Sequence, residues 1–384
     1  MEQQGVNRRQ VLGMGMGMAA AGAGLAVTQP GIAHGSARTV TVDPVPRIEA
    51  GIAWYDVQQW GVEGRGWDDT EVYYDRFPAR AKATVRPEVW NLSQQSAGML
   101  TRFESDSRVF QARYTLRSPS LALPHMPATG VSGLDLYARD DDGRDRWLSV
   151  TKPTAQTVQA QLIGNVDPGR RLYTAYLPLY NGVTSLEIGV DAAAAFQPVA
   201  PRTRKPILFY GTSIMQGACA SRPGMGMTAI LGRRFDRPTI NFGFSGNGEM
   251  ESAVGALIAE LDPAVYVIDC LPNMTADDVA TRTEPLVRQL RAARPRTPIL
   301  LVEDRTMTYA RFVQSERDGH AGRRAALRRA YENLRHAGVR NLSYLEGEGL
   351  LGGDGEAATD GSHPSDLGMV RYADAYEKAL RRLL

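Results

Sequence analysis

Cysteine, histidine and one-signed charge are all scarce in this sequence, and each scarcity excludes a class of protein. Cys219 and Cys270 are the two cysteines in 384 residues, too few for a disulfide scaffold. They are expected as buried free thiols rather than as a bridge. Neither stands at a metal-ligand spacing, and the histidines (34, 125, 320, 336 and 363) are scattered, which argues against a zinc site. The 44 Lys and Arg against 42 Asp and Glu leave a formal net charge of +2. With no basic run after residue 40, no phosphate track for nucleic acid is expected. Long hydrophobic runs are missing as well, so the mature chain is expected to be soluble, without stable membrane insertion.

What is present begins with a targeting pattern. Asn7-Arg8-Arg9-Gln10-Val11-Leu12 precedes a weakly apolar stretch, Gly13 to Val27, rich in Gly, Ala and Met, and small residues follow at Ala33 and Gly35. The stretch is short of the roughly 20 residues needed to span a bilayer. Paired arginines before such a stretch resemble a twin-arginine (Tat) export signal over residues 1–35. That implies the Tat machinery as a partner and a secreted or periplasmic location.

The rest divides by pattern into 40–198 and 205–384. The first part shows short alternating runs broken by Gly, Pro, Asn and Asp, such as Arg108–Tyr114, Gly133–Ala138 and Arg171–Leu177. Period-two alternation with frequent turns predicts an antiparallel β-sandwich, and no helical period of useful length occurs there. The five tryptophans (54, 60, 67, 90 and 147) all lie in this part and are expected mostly in its core. Beyond the linker Pro201–Pro206, apolar runs at Ile207–Tyr210, Thr239–Phe244, Val265–Asp269, Ile299–Val302 and Leu342–Leu345 alternate with amphipathic stretches. The stretches are Met225–Phe235, Met250–Leu261, Ala276–Ala293 and Gly322–His336. Pro285 is expected to restart a helix capped by Thr283, and Gly338 to stop the last of the four. Such alternation predicts a parallel sheet covered on both faces.

In a sheet of that kind functional groups gather in loops at the carboxyl ends of the strands. Ser213 follows the first strand, Gly246 the second and Asn273 the third; Asp360 and His363 follow the fifth. A serine becomes a nucleophile when a base takes its proton and a third group fixes the tautomer of that base. Ser213, His363 and Asp360 are thus candidate nucleophile, base and orienting carboxylate. Gln216, Asn247, Glu249 and Glu303 stand in or near the same loops and are candidates for substrate binding.

Four blocks in order carry a resemblance. Gly211-Thr212-Ser213-Ile214, Asn241 to Asn247 with Gly246, Asp269 to Met274 with Asn273, and Asp360-Gly361-Ser362-His363 resemble the Ser, Gly, Asn and His blocks of the SGNH (GDSL-type) hydrolases. Gly133-Leu134-Asp135-Leu136-Tyr137 resembles the marker of the β-sandwich that precedes one subgroup. The resemblance implies a flavodoxin-like three-layer α/β fold after a jelly-roll-like sandwich. It also implies an oxyanion hole from the Ser213 N–H, the Gly246 N–H and the Asn273 amide. Thr212 departs from the pattern, which has Asp there. No metal or organic cofactor is implied, because the triad supplies base and nucleophile unaided. The expected function is a secreted esterase removing O-acetyl groups from a carbohydrate. The alternatives are a general short-chain or aryl esterase and a glycan-binding protein with an inactive hydrolase part.

Overall fold

The computed structural model describes residues 43–384, so the expected export signal lies outside the described residues. Ten strands form two antiparallel sheets of a sandwich. They are β1 (Arg47–Glu49), β2 (Ile52–Asp56), β3 (Leu100–Ser105), β4 (Phe110–Leu116), β5 (Asp135–Arg139), β6 (Asp145–Val150), β7 (Thr157–Ile163), β8 (Arg171–Tyr176), β9 (Val183–Asp191) and β10 (Phe196–Val199). One sheet runs β1-β2-β9-β4-β7 and the other β10-β3-β8-β5-β6. The alternation explains the layers: Phe110, Ala112, Tyr114 and Leu116 of β4 are buried while Gln111, Arg113 and Thr115 are not. Phe103, Phe110, Leu136, Tyr173 and Ile188 fill the space between the sheets.

A parallel sheet follows, built from β11 (Ile207–Gly211), β12 (Thr239–Gly243), β13 (Val265–Asp269), β14 (Ile299–Val302) and β15 (Leu342–Leu345) in the order β12-β11-β13-β14-β15. This is the flavodoxin-like order, with its topological switch beside the first strand of the sheet. The first two helices of the chain, α1 (Pro87–Ser93) and α2 (Ala128–Val131), precede the sheet; α3 (Ser213–Gln216), α4 (Met227–Arg234), α5 (Ser252–Glu260), α6 (Ala276–Ala293), α7 (Gln314–His336) and α8 (Asp366–Leu380) belong to it. Every residue of β11 is buried, and the two faces sort its side chains. Leu208 and Tyr210 pack with α5, α6 and α7; Ile207 and Phe209 pack with α3, α4 and α8.

The two patterns of the sequence meet in a way their boundaries hid. The stretch between β2 and β3 contains the short helix α1, and its Phe77, Ala81, Val85, Val89 and Trp90 join the core of the parallel sheet. Seven residues opened by Pro87 are too few to display a helical period, so α1 is invisible as a pattern. Trp54, Trp60 and Trp90 are buried and Trp67 partly so, but Trp147 is half exposed. The expected break at Pro285 does not occur. Helix α6 runs unbroken across it, starting at a capping box made by Thr275 and Asp278, while the Thr283 hydroxyl donates back to the Val279 carbonyl at 2.7 Å. Val279, Leu286, Val287 and Leu290 lie buried on both sides of the proline, and this apolar stripe holds the helix across the missing hydrogen bond. Gly338 does end α7, at φ +79°. The helix starts at Gln314, earlier than expected, because its first turns carry no apolar periodicity to read.

A single buried guanidinium ties the β2–β3 stretch to the sheet. Arg76 donates to the carbonyls of Gln95 (2.8 Å) and Leu92 (2.6 Å) and to those of Asn241 (3.0 Å) and Gly243 (2.7 Å) at the end of β12. Burial lowers its pKa to about 9, so the cost of desolvation is real and the four carbonyls offset it. Arg76→Met is expected to strand those acceptors and to lower unfolding stability by on the order of 3 kcal/mol, read from the urea midpoint. An unchanged midpoint would show that water replaces the guanidinium without cost.

Candidate active site

Three loops at the carboxyl edge of the parallel sheet converge on Ser213. The chain leaves β11 at Gly211, Thr212 caps α3 by accepting from the Ile214 N–H (3.3 Å), and Ser213 is the first helical residue. Thr212 therefore fills by its hydroxyl the capping task open to an aspartate at this position. Gly217, at φ +112°, closes the helix after a single turn. The Ser213 side chain is buried to 6% exposure, and its Oγ lies 2.8 Å from His363 Nε2.

His363 sits in a small loop pinned by Thr359 N donating to His363 O (2.9 Å) and by Thr308 N donating to Gly361 O (2.9 Å). Its Nδ1 faces Asp360 Oδ2 at 2.7 Å. The other carboxylate oxygen accepts from the backbone N–H groups of Ser362 (3.0 Å) and His363 (2.8 Å). With the proton on Nδ1 directed at the carboxylate, Nε2 is free to accept from the serine. Partial burial pushes the Asp360 pKa up, but the hydrogen bonds from His363 and Ser362 outweigh it and hold the group at about 2.

Gly246 and Asn273 lie in the loops after β12 and β13, at the same edge of the sheet as Ser213. Gly246 lies in the loop after β12 at φ +70°, a backbone state that disfavours any side chain, although a Cβ there would meet no protein atom within 4 Å. Its conformation, not crowding, calls for glycine. Asn273 Oδ1 accepts from the Gly248 N–H at 3.3 Å, which turns its Nδ2 donor away from that loop. Among the described residues, none accepts a hydrogen bond from the N–H of Ser213, the N–H of Gly246 or Asn273 Nδ2. Donors without a protein partner in the Ser213 turn and in the two neighbouring strand-end loops are of the kind that can receive a developing oxyanion.

The four candidate substrate contacts have internal partners. Gln216 is fully buried; its Oε1 accepts from the Ser245 N–H (3.1 Å), and its Nε2 donates to the Leu179 carbonyl (3.1 Å) and to Gln95. It braces the loop that carries Gly246. Asn247 accepts from Arg86 at 2.8 Å and donates to Ser245 O at 2.9 Å. Glu249 pairs with Arg282 at 3.1 Å. Glu303 is buried, accepting from Tyr344 Oη (2.6 Å), Gly347 N (3.0 Å) and Arg328 (3.0 Å).

Several neighbours of the site carry no recognisable pattern. Arg305 is buried against Asp304 and reaches the carbonyl (3.4 Å) and the hydroxyl of Ser362, between Asp360 and His363. His320 Nε2 accepts from Met307 N, so its proton points from Nδ1 to Asp304 at 2.7 Å. The position of Arg305 just past β14, in a strand-end loop, was the available signal. The sandwich also reaches the site. Tyr180 Oη donates to the Ser213 carbonyl at 3.2 Å. Asp135 accepts from Gly224 N (2.7 Å), Arg222 (3.1 Å) and Trp147 (2.8 Å), so the Gly133–Tyr137 string is a joint between the two halves. Both cysteines are free and buried. Burial pushes the Cys219 thiol up to about 11. Folding brings together donor residues that are far apart in the sequence. Donor atoms of His125, Cys219, Asp360 and His363 all lie within 4.8 Å of one another.

Residues 204–381 match the GDSL-like lipase/acylhydrolase family, and residues 52–196 match GxDLY, the N-terminus of SGNH-hydrolase-type esterases. A crystal structure described as a GDSL-like lipase, from Bacteroides ovatus ATCC 8483, superposes with a TM-score of 0.83 at 33% identity, covering 86% of this chain and 98% of that one. A salicylyl-acyltransferase from a tetracycline biosynthetic pathway gives a TM-score of 0.66 at 18% identity, covering 89% and 97%. A family two carbohydrate esterase from Clostridium thermocellum, in complex with cellohexaose, gives 0.53 at 13%, covering 74% and 92%. The last two likenesses are of fold alone. No curated protein sequence gave a match.

The depressed Asp360 pKa has a sign that can be tested. Its folded value lies below the ordinary value of about 3.9, so the stabilisation it gives the His363 loop is complete above roughly pH 4 and is lost as pH falls through about 2. Carboxyl-carbon NMR is expected to place its midpoint near that lower value; a midpoint at the ordinary aspartate value would show that the three hydrogen bonds do not persist in solution.

Proposed function

The chain belongs to the GDSL-like lipase/acylhydrolase family and is a carboxylic ester hydrolase, and from that premise we propose that it is a secreted serine esterase removing short acyl groups, acetyl above all, from a carbohydrate. The observation that carries the reading is the chain of contacts from Ser213 Oγ through His363 to Asp360. His363 takes the Ser213 proton as the oxygen attacks the ester carbonyl, and Asp360 stabilises the imidazolium. The carbonyl oxygen gains charge and is received by the N–H groups of Ser213 and Gly246 and by the Asn273 amide. His363 then returns the proton to the leaving alcohol, and a water activated by the same imidazole releases the acid.

Support for a carbohydrate comes from the two-part architecture, which a family two carbohydrate esterase shares at the level of fold. Export is supported by Arg8 and Arg9 ahead of the Gly/Ala-rich stretch. A second reading, an esterase of aryl or other apolar esters, is favoured by one surface feature. The Tyr309 ring packs on Gly361 in the His363 loop, and Tyr309, Phe312 and Val313 are all exposed beside it.

Ser213→Ala is expected to abolish hydrolysis of a chromogenic acetate ester, and retained turnover would remove Ser213 as nucleophile. Asn273→Ala is expected to lower kcat by on the order of 10²–10³ with a smaller change in KM. Acetate release from acetylated xylan, compared by kcat/KM with aryl acetates, separates the two substrate classes. A preference for aryl acetates would replace the carbohydrate reading by the second.

A further inference from the structure

We propose that His125, Cys219, Asp360 and His363 form a four-donor site for Zn²⁺, or for a divalent ion of similar borderline softness, and that occupation of this site switches the esterase off. The four residues come from three separate parts of the chain. His125 belongs to a sandwich loop, Cys219 to the turn after α3, and Asp360 and His363 to the loop before α8. One donor atom of each lies within 4.8 Å of all the others. A tetrahedral Zn²⁺ with ordinary bond lengths holds its donors roughly 3.3–3.8 Å apart, so closure requires side-chain movements on the order of an ångström.

The donor set and its surroundings fit such an ion. Two imidazoles, one thiol and one carboxylate make a mixed N, S and O set, which suits Zn²⁺ and is too soft for Mg²⁺ or Ca²⁺. The site is wet on one side and anchored on the other. His125 and Asp360 are exposed and give an entry path, while Cys219 is buried, its thiol directed at the His125 carbonyl at 3.5 Å. The His125 and His363 rings already face each other with centroids 5.6 Å apart. On binding, the metal–sulfur bond replaces the S–H bond and the proton leaves to solvent. The metal also takes Asp360 and one nitrogen of His363, ending the 2.7 Å hydrogen bond between them. A liganded His363 no longer serves Ser213 as an oriented base.

The binding claim stands on the donor cluster alone; only the inhibitory consequence rests on the esterase reading. Calorimetric titration of the metal-free full chain with Zn²⁺ is expected to give one ion per chain. Titration with Co²⁺ is expected to give a thiolate-to-cobalt charge-transfer band, which Cys219→Ser abolishes. In an aryl acetate assay, Zn²⁺ at slight excess is expected to remove most activity, and a chelator to restore it. His125→Ala and Cys219→Ser are expected to keep their metal-free activity and to need at least about 10-fold more Zn²⁺ for the same loss. Because His125 is exposed, its variant keeps the test open should Cys219→Ser fold poorly. No bound Zn²⁺ by calorimetry, or equal Zn²⁺ sensitivity in His125→Ala and the parent, would overturn the site. A chain that binds one Zn²⁺ but turns over no ester even when metal-free would sustain the site and sink the esterase reading instead.

Discussion

Arg76 is the interaction on which the geometry of the site depends. Among the described residues no carboxylate pairs with its buried guanidinium, which is held by four main-chain carbonyls drawn from two distant segments. Two of those carbonyls, of Asn241 and Gly243, lie at the end of β12, where the chain turns into the Gly246 loop. Asn241 extends the clamp by donating to the Met215 carbonyl at 2.9 Å and accepting from Gly243 N at 2.8 Å. The guanidinium, the strand end and the helix that begins with Ser213 thus form one hydrogen-bonded block.

That block resolves a conflict inherent in such a site. Donors meant for an oxyanion must remain without a protein partner, yet they must not move. Here close packing of the backbone supplies the rigidity. A Cβ on Gly243 would meet Gln216 N at 2.1 Å, and one on Gly248 would meet the Gly211 carbonyl at 2.0 Å. These two glycines allow the β11 and β12 loops to touch, while Gly246, in open space, is glycine for its positive φ. The side chain of Gln216 ties the two loops together by accepting from the Ser245 N–H. The free donors are held by contacts made around them rather than through them.

The sandwich is part of the same block and not an appendage. Tyr180 reaches the Ser213 carbonyl, Asp135 holds Gly224 and Arg222, and His125 stands against Cys219 and His363. Removing water from Asp135 raises its pKa, and Arg222 and the Gly224 N–H offset only part of that. A buried carboxylate so placed ties the two halves to each other more specifically than apolar packing does.

By itself the sequence determined the strands of the parallel sheet and the loops that follow them, and it nominated Ser213, Gly246, Asn273, Asp360 and His363 as candidates. The strands rest on local signals, apolar runs of strand length and turn glycines, whereas the five positions rest on residue types at strand ends together with the resemblance of four blocks to the SGNH hydrolases. The tertiary structure alone decided what depends on segments distant in the chain. It placed α1 and its neighbours in the hydrolase core, carried α6 across Pro285, turned Gln216 inward and paired Glu303 with Tyr344. It also brought His125 to Cys219 and His363. A period can be read from a few neighbouring residues, but contact between distant ones is set by packing and by the need to satisfy every buried polar group.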